Sequence, residues 1–474
     1  MIDICINEKS GVVVQYAAPN TPCLNIPDKF FKGDYLETLF LPQQNGGGRI
    51  VIGMGEERLG ENEILELTAK AMKMVKEKEI PETSVDVSFF VHTLGCGVIE
   101  RIVQGIYLGL YAVPAWNKQE KKDYRVSLAG IEETCREECR IYIERGAHLA
   151  EGICFARDVV NTPGNLLRPK VFADAVMQLL EDTETEVECI DYGKLCEMKM
   201  EGLVHVGKSS KFKPCLLIMR YRGDKESKTV RAFVGKGVTC DTGGYCLKPA
   251  SSMAGIKGDM AGGAAAAGAV YALAKNKVKT NVTGIIPICE NRISDDSMLP
   301  GDVIGSYGGK KVEILNTDAE GRLILADAVS YAVREEHASE MIDIATLTGA
   351  VVNLLGFSIA GVLSDDEKLY ESFSNAFEKS GERYLRIPYY KEHEKMIQSE
   401  IADIKNMGES YCGTITAGLF IRAFAESRPW LHIDIAGTAW VEQPVFEYQS
   451  AGATGAGVTT LYYLGEQSGK RGAL

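Results

Sequence analysis

Two stretches of the sequence set charged residues among glycines beside apolar runs. The first is Val234-Gly-Lys236-Gly-Val-Thr-Cys-Asp241-Thr-Gly-Gly-Tyr-Cys-Leu-Lys248, followed by Met253-Ala-Gly-Ile-Lys-Gly-Asp259; the second is Asn316-Thr-Asp318-Ala-Glu320-Gly-Arg322-Leu323. Buried charge is costly unless it is paired or bound to a metal, and loops at the ends of buried strands commonly carry functional groups. Asp241, Asp259, Asp318 and Glu320 supply four carboxylates from three segments. That is enough hard oxygen donors for two divalent ions if some oxygens bridge. Asp318 and Glu320 stand two apart, so an extended chain would aim both the same way, and Gly321 would let it turn into the helix that follows. A metal pair about 3.5–4 Å across can activate a water, polarise a carbonyl and hold a free amine.

Other readings of the same residues explain less. Gly235, Lys236, Gly237, Gly243 and Gly244 could form a nest of N–H groups for phosphate, but the spacing does not fit GxxxxGK[ST] and Asp241 would repel the ligand. A purely structural reading makes the glycines turns and leaves the charges in solvent. The six histidines, His92, His148, His205, His337, His393 and His432, form no HExxH pair or tight cluster, so a metal must be held by carboxylates. Taken alone, Lys236 reads as a phosphate or oxyanion contact. Cys240 and Cys246 lack a nearby histidine in sequence to act as base, which argues against thiol catalysis.

The elements that must position these groups follow from periodicity. Strand-like runs at Cys215 to Tyr221, Arg231 to Val238, Val282 to Ile288, Met341 to Ala345 and Leu431 to Ala436 alternate with helical patterns, which predicts a sheet covered by helices on both faces. Ala261 to Ala274, almost all Gly and Ala, predicts a helix lying close against neighbouring backbones. It is too short for a membrane span, and Asp259 and Lys275 flank it. Earlier in the chain, apolar runs at Gly11 to Tyr16, Arg49 to Gly53 and Ser88 to His92 mix with helical patterns at Glu63 to Lys78 and Ile99 to Ala112, the mark of a smaller α/β domain. A long helix then ends before Asn161-Thr162-Pro163-Gly164, because Pro163 disfavours helix in the residue preceding it. The expected organisation is an N-terminal α/β domain over 1–130, a linking helix over 131–160 and a catalytic domain over 161–474.

Bulk properties bound the partners. A chain of 474 residues with 45% hydrophobic content suits two domains. Its net charge of −13 repels nucleic acid and anionic membrane surfaces. The start has no basic segment leading into an apolar one, and no apolar run reaches the roughly 18 residues of a spanning helix, so the expectation is a soluble, unexported protein. Thirteen cysteines without a regular framework read as reduced thiols in a cytoplasm.

The paired motifs Gly235–Gly244 with Lys248 and Asp259, and Asn316–Leu323, resemble the signature of the leucyl aminopeptidases, the M17 metallopeptidases. Ala156–Asn165, Asp343–Ala350 and His432–Trp440 match in kind and order; the first 130 residues match only in general character. The resemblance implies a small macro-like α/β domain before a larger catalytic α/β domain whose central mixed sheet is flanked by helices. It implies removal of the first residue from peptides with a free α-amino group, by a water bridging two metals, Zn or Mn with Mg or Co as alternatives. Asp241 and Glu320 would bridge, Lys236 as a neutral amine and Asp259 would complete the tighter site, and Asp318 the looser one. Lys248 would stabilise the oxyanion, and Arg322 would hold a bicarbonate as proton carrier. Ile256, Thr346, Leu347, Gly349 and Ala453 would contact substrate, the Leu347 carbonyl accepting an amide hydrogen. Cys240, Thr242, Ala254 and Ile256 depart from the usual Phe, Ser, Asp and Met, and Ala453 stands near a position that can carry Met, so a leucine preference does not follow. The same resemblance implies a homohexamer of two stacked trimers. A non-catalytic scaffold on the same fold is the alternative, since fold alone does not fix function.

Overall fold

The structure is a computed structural model that describes residues 1–19, 26–43, 47–56, 59–116 and 122–468. The chain forms two units, Met1–Cys154 with Gln443–Ser450, and Phe155–Glu442 with Ala451–Leu474. These bounds differ from those expected in two places. The long helix runs Arg136–Asn161, and the first unit takes in most of it. Residues 443–450 also return to the first unit. There Glu447 pairs with Lys70 and Lys73 at 2.9 and 3.3 Å, and its N–H donates to Glu66 Oε1. Such a long-range pairing leaves no trace in sequence periodicity.

The first unit holds a six-stranded sheet in the order Ile2–Ile6, Tyr124–Ala129, Glu82–Asp86, Val12–Ala17, Gly48–Gly53, Thr38–Pro42. All neighbours are parallel except the last pair. Parallel strands covered on both faces lose the alternation of a half-exposed strand, as fully buried Ile50, Val51 and Ile52 show. Helices Glu61–Glu77 and Val98–Leu110 cross closely because a Cβ on Gly109 would stand 2.5 Å from the Ala69 carbonyl oxygen. The apolar run Ser88 to His92 is helical, not extended: the strand lies just before it at Glu82–Asp86. The Asp86 carboxylate accepts from the Ser88 N–H and hydroxyl, which turns the chain into helix Ser88–Leu94.

The second unit is built on a nine-stranded mixed sheet. Four parallel strands, Trp430–Asp434, Glu340–Ala345, Arg231–Gly235 and Asn281–Asn291, occupy its middle. Ala360–Ser364 and Cys215–Arg222 flank them antiparallel, with Tyr384–Arg386 and Thr185–Ile190 outside. The last strand, Gly237–Asp241, continues beside the far end of Asn281–Asn291. Helices cover both faces. Val234 shares a buried apolar cluster with Leu323, Ile324 and Phe420, while its neighbour Gly235 abuts Gly262. The small-residue helix Ala261–Lys275 is buried from Ala261 to Ala274. Its close approach is backbone against backbone, since a Cβ on Gly262 would fall 2.0 Å from the Ile344 carbonyl oxygen. Among the described residues no helix is long and apolar enough to cross a membrane.

Helix Gly321–Arg334 is tied to its surroundings by a buried carboxylate. Asp327 accepts from the backbone N–H of Tyr307 at 2.7 Å and of Leu203 at 3.0 Å. Burial pushes its pKa up to about 7, and the N–H donors of Tyr307, Leu203 and Gly202 pull the other way. Asp327→Asn turns an amide NH2 toward a backbone N–H. Chemical denaturation should show a loss of about 1–3 kcal/mol, and an unchanged midpoint would contradict this tie.

Candidate metal centre

The carboxyl ends of the four central parallel strands converge on one cluster, the place where open α/β sheets carry their ligands. The run Arg231 to Val238 does not continue as one strand. It stops at Gly235 and resumes at Gly237. At the break the Lys236 N–H donates to Ile344 O and its carbonyl accepts from the Gly263 N–H. One residue is thereby held between the neighbouring strand and the helix N-terminus, and its side chain is directed into the site.

Lys236 is 3% exposed, and its ammonium contacts Asp259 Oδ2 and Glu320 Oε1, each at 2.8 Å, and the Thr346 carbonyl at 3.1 Å. Gly321 leaves the room for it, because a Cβ there would stand 2.7 Å from Lys236 Nζ. Asp241, Asp259 and Glu320 each offer an oxygen within 4.8 Å of the others. Asp241 is fixed by Asn291 Nδ2 at 2.9 Å and the Gly243 N–H at 3.0 Å, and Asp259 accepts from Thr346 Oγ1 at 2.8 Å. Lys248 joins Asp241 Oδ2, at 2.8 Å, to Asp318.

Asn316 to Glu320 is a turn rather than the extended segment the two-residue spacing suggested. The Asp318 N–H donates to Asn316 Oδ1, and Asn406 brackets the turn by accepting from the Leu315 N–H and donating to the Asn316 carbonyl. Asp318 and Glu320 therefore diverge, the first toward Lys248 and the second toward Lys236.

Four carboxylates face two ammonium groups in a space largely shut from water, and their mutual repulsion shows in the acidities. Burial, with Asp241 close by, pushes Glu320 up to about 8 against the pull of Lys236. Burial raises Asp259 to about 6 although Lys236 opposes it. Burial and Asp241 also raise Asp318. Burial would lower the Lys236 ammonium, but Asp259, Glu320 and Asp241 outweigh it and hold the proton well above the usual lysine range. Glu320 Oε2 is buried without a hydrogen-bond partner. An excess of negative charge and an orphaned carboxylate oxygen are what divalent cations would satisfy, so the residues fit a metal centre.

A cavity of about 560 Å³ opens on this cluster and is lined in part by Ile256, Thr346, Leu347 and Gly349. Asp434 sets the Leu347 segment, accepting from the Leu347 N–H at 3.1 Å and Thr348 Oγ1 at 2.6 Å. Ala453 does not line the cavity. Its N–H is held by Asn161 Oδ1, and it lies fully buried in the strand pair with Trp440. The wall is formed instead by Ala436, Ala439 and Trp440, in a motif whose order was readable but whose facing was not. Cys240 is likewise absent from the lining; it is buried on its strand, one residue from inward-facing Asp241. Arg322 is 8% exposed and lies outside the lining. It donates to the Asn406 carbonyl at 2.8 Å while Nε has no partner, and burial pulls its pKa down to about 10 against Glu320 and Asp434. Asn291, Asn406 and Asp434 carry no signal in local sequence, since their roles depend on which strands and loops become neighbours.

Fold and site together describe an α/β protein with a candidate metal centre at the carboxyl ends of its central parallel strands. The cytosol aminopeptidase family, catalytic domain, matches residues 154–462. A probable cytosol aminopeptidase of Clostridium perfringens is 41% identical over 445 residues, 92% of this chain and 90% of that protein. Another, of Alkaliphilus metalliredigens, is 38% identical, covering 93% and 90%. Among solved structures, the bottromycin maturation enzyme BotP in complex with Mn superposes with a TM-score of 0.88 at 27% identity, covering 97% of this chain and all of that one. The chain belongs to the cytosol aminopeptidase family, a family of metal-dependent peptidases.

Metal binding at this cluster should release protons. The Glu320 and Asp259 carboxyls must ionise to coordinate, so affinity should rise with pH between about 6 and about 8, where they lose their protons. Calorimetric titration of Mn²⁺ into metal-free protein at pH 7, in buffers of different ionisation enthalpy, should record net proton release. A buffer-independent heat would contradict it.

Proposed function

We propose that the protein removes the first residue of peptides with a free α-amino group, using a pair of divalent metals held by Lys236, Asp241, Asp259, Asp318 and Glu320. The observation that carries this reading is the cluster of Asp241, Asp259 and Glu320, with an unpartnered Glu320 oxygen, next to a cavity of about 560 Å³ that Asp241, Asp259 and Asp318 line. Asp241 and Glu320 would serve both metals, Asp259 with Lys236 would complete one site and Asp318 the other. Zn or Mn suits these oxygen and amine donors, and Mg or Co is compatible with them.

Bound there, two divalent ions supply Lewis acidity and an activated water. The chain's own residues do the rest. Lys236 has to give up its proton to act as a ligand, which the approach of dications favours and its present carboxylate partners resist. Lys248 stays protonated between Asp241 and Asp318 and is placed to stabilise the negative charge that develops on the carbonyl oxygen. Leu347, set by Asp434, aligns the substrate backbone through its carbonyl, and Thr346, Ile256 and Gly349 border the space for the first side chain. Arg322, whose buried Nε has no hydrogen-bond partner, would hold a small anion such as bicarbonate, which would supply a proton acceptor where no histidine lines the cavity. Capture of the substrate's amine at the looser site would restrict cleavage to the first peptide bond.

The acidic chain, which has no membrane-crossing helix among its described residues, is read as a cytoplasmic enzyme acting on peptides, with nucleic acid and membranes disfavoured as partners. It assembles as a homohexamer in this reading, and light scattering should give six copies per particle; a monodisperse monomer would refute that assembly.

Metal-depleted protein should not cleave aminoacyl anilides, and Zn²⁺, Mn²⁺, Mg²⁺ or Co²⁺ should restore activity to different extents. Lys248→Met should lower kcat by about 10²–10³, the usual cost of losing one oxyanion donor, and an N-acetylated peptide should resist. If no metal restores cleavage, or Asp318→Ala turns over as fast as the parent, the two-metal reading is wrong. Intact metal binding with no peptidase activity would favour a scaffold instead.

A further inference from the structure

The cavity carries one charge that peptide hydrolysis does not use. Of its charged lining residues, Lys236, Asp241, Asp259 and Asp318 belong to the metal cluster and Lys248 bridges two of its acids, which leaves Lys257. Lys257 is half-buried on the loop that follows the short turn of helix Ala250–Gly255. Its ammonium donates to the Asn161 carbonyl at 3.1 Å, at the end of helix Arg136–Asn161. No carboxylate among the described residues is in ion-pair contact with it. A neutral carbonyl compensates a half-desolvated ammonium only in part.

Small, uncharged residues precede and follow Lys257 in the same segment: Ser252, Ala254, Gly255 and Gly258 all line the cavity. A Cβ on Gly255 would meet nothing within 4 Å, and one on Gly258 would come no closer than 3.8 Å to Val160. The loop thus keeps open space beside a cation without a carboxylate partner, within the cavity that ends on the metal cluster.

We propose that Lys257 binds a carboxylate of the peptide substrate and so makes this enzyme prefer peptides with an acidic group next to the scissile bond. The proposal rests on the aminopeptidase reading above. A peptide offers that chemistry from two sources, the side chain of an N-terminal Asp or Glu, or the terminal carboxylate of a dipeptide. Lys257 lies beside Ile256, on the wall that borders the first side chain, which favours the former.

The test compares kcat/KM ratios of the Mn²⁺-loaded enzyme. Glu- against Gln-para-nitroanilide reports a side-chain carboxylate, and Leu-Gly against Leu-Gly-amide reports a terminal one. The parent should favour the charged member of one pair. Lys257→Gln should shrink that ratio about tenfold or more, as expected for a charge-assisted hydrogen bond, mainly through KM, while Lys257→Arg should keep most of it. A Lys257 that only caps the helix would lower thermal stability and slow every substrate alike, so ratios unmoved by Lys257→Gln overturn the proposal. Should Lys257→Gln not fold, the parent decides: the favoured ratio must fall toward one as NaCl screens the pair, and a salt-independent ratio overturns the proposal equally. A parent that cleaves none of the four substrates under any metal would instead refute the aminopeptidase reading.

Discussion

Four carboxylates crowded against two ammonium groups, at the bottom of a cavity, are the constraint to which the rest of the second unit answers. Coulomb repulsion among acids in such a place is strong, because little water screens it. The protein meets that repulsion in three ways. It interposes Lys236 and Lys248, it lets Glu320 and Asp259 keep protons at higher pH than free carboxyls do, and it donates N–H groups from Asn291 and Gly243 to Asp241. Divalent cations would relieve the same repulsion, which is why the cluster fits a metal centre.

The cluster needs rigid placement, and the glycines supply it by absence of side chain. Gly262 lets the small-residue helix rest on the Ile344 carbonyl, Gly235 meets Gly262, and Gly321 clears a path for Lys236. Three elements distant in sequence are thereby brought into backbone contact around one lysine. Lys236 is fixed from its own main chain outward, since its N–H and carbonyl are both engaged across the strand break. The flexible side chain is held in turn by burial and by its contacts with Asp259, Glu320 and the Thr346 carbonyl.

What the sequence discloses follows from this division of labour. Charges set among glycines are legible as a candidate site, because nothing but pairing or metal makes such residues worth burying, and a sheet with helices on both faces is legible from alternating apolar runs, its mixed character only from the family resemblance. The strand break at Lys236 is not, since Arg231 to Val238 reads as one apolar run and only the register with Asn281–Asn291 ends it. The turn at Asp318 hides for a similar reason: an Asn406 far along the chain holds it. Pocket walls are least legible of all. Ala453 and Ala439 are both small residues near the C-terminus, and only the strand pairing of Trp440 with Ala453 decides which of them faces the cavity.

The return of Gln443–Ser450 to the first unit has a bearing on synthesis. A ribosome releases the N-terminal sheet early, yet the carboxylate that engages Lys70 and Lys73 belongs to Glu447, close to the end of the chain. The first unit to emerge thus waits for a segment made after most of the second. Until then Lys70 and Lys73 lack the Glu447 carboxylate, so the N-terminal unit cannot close on its own residues alone.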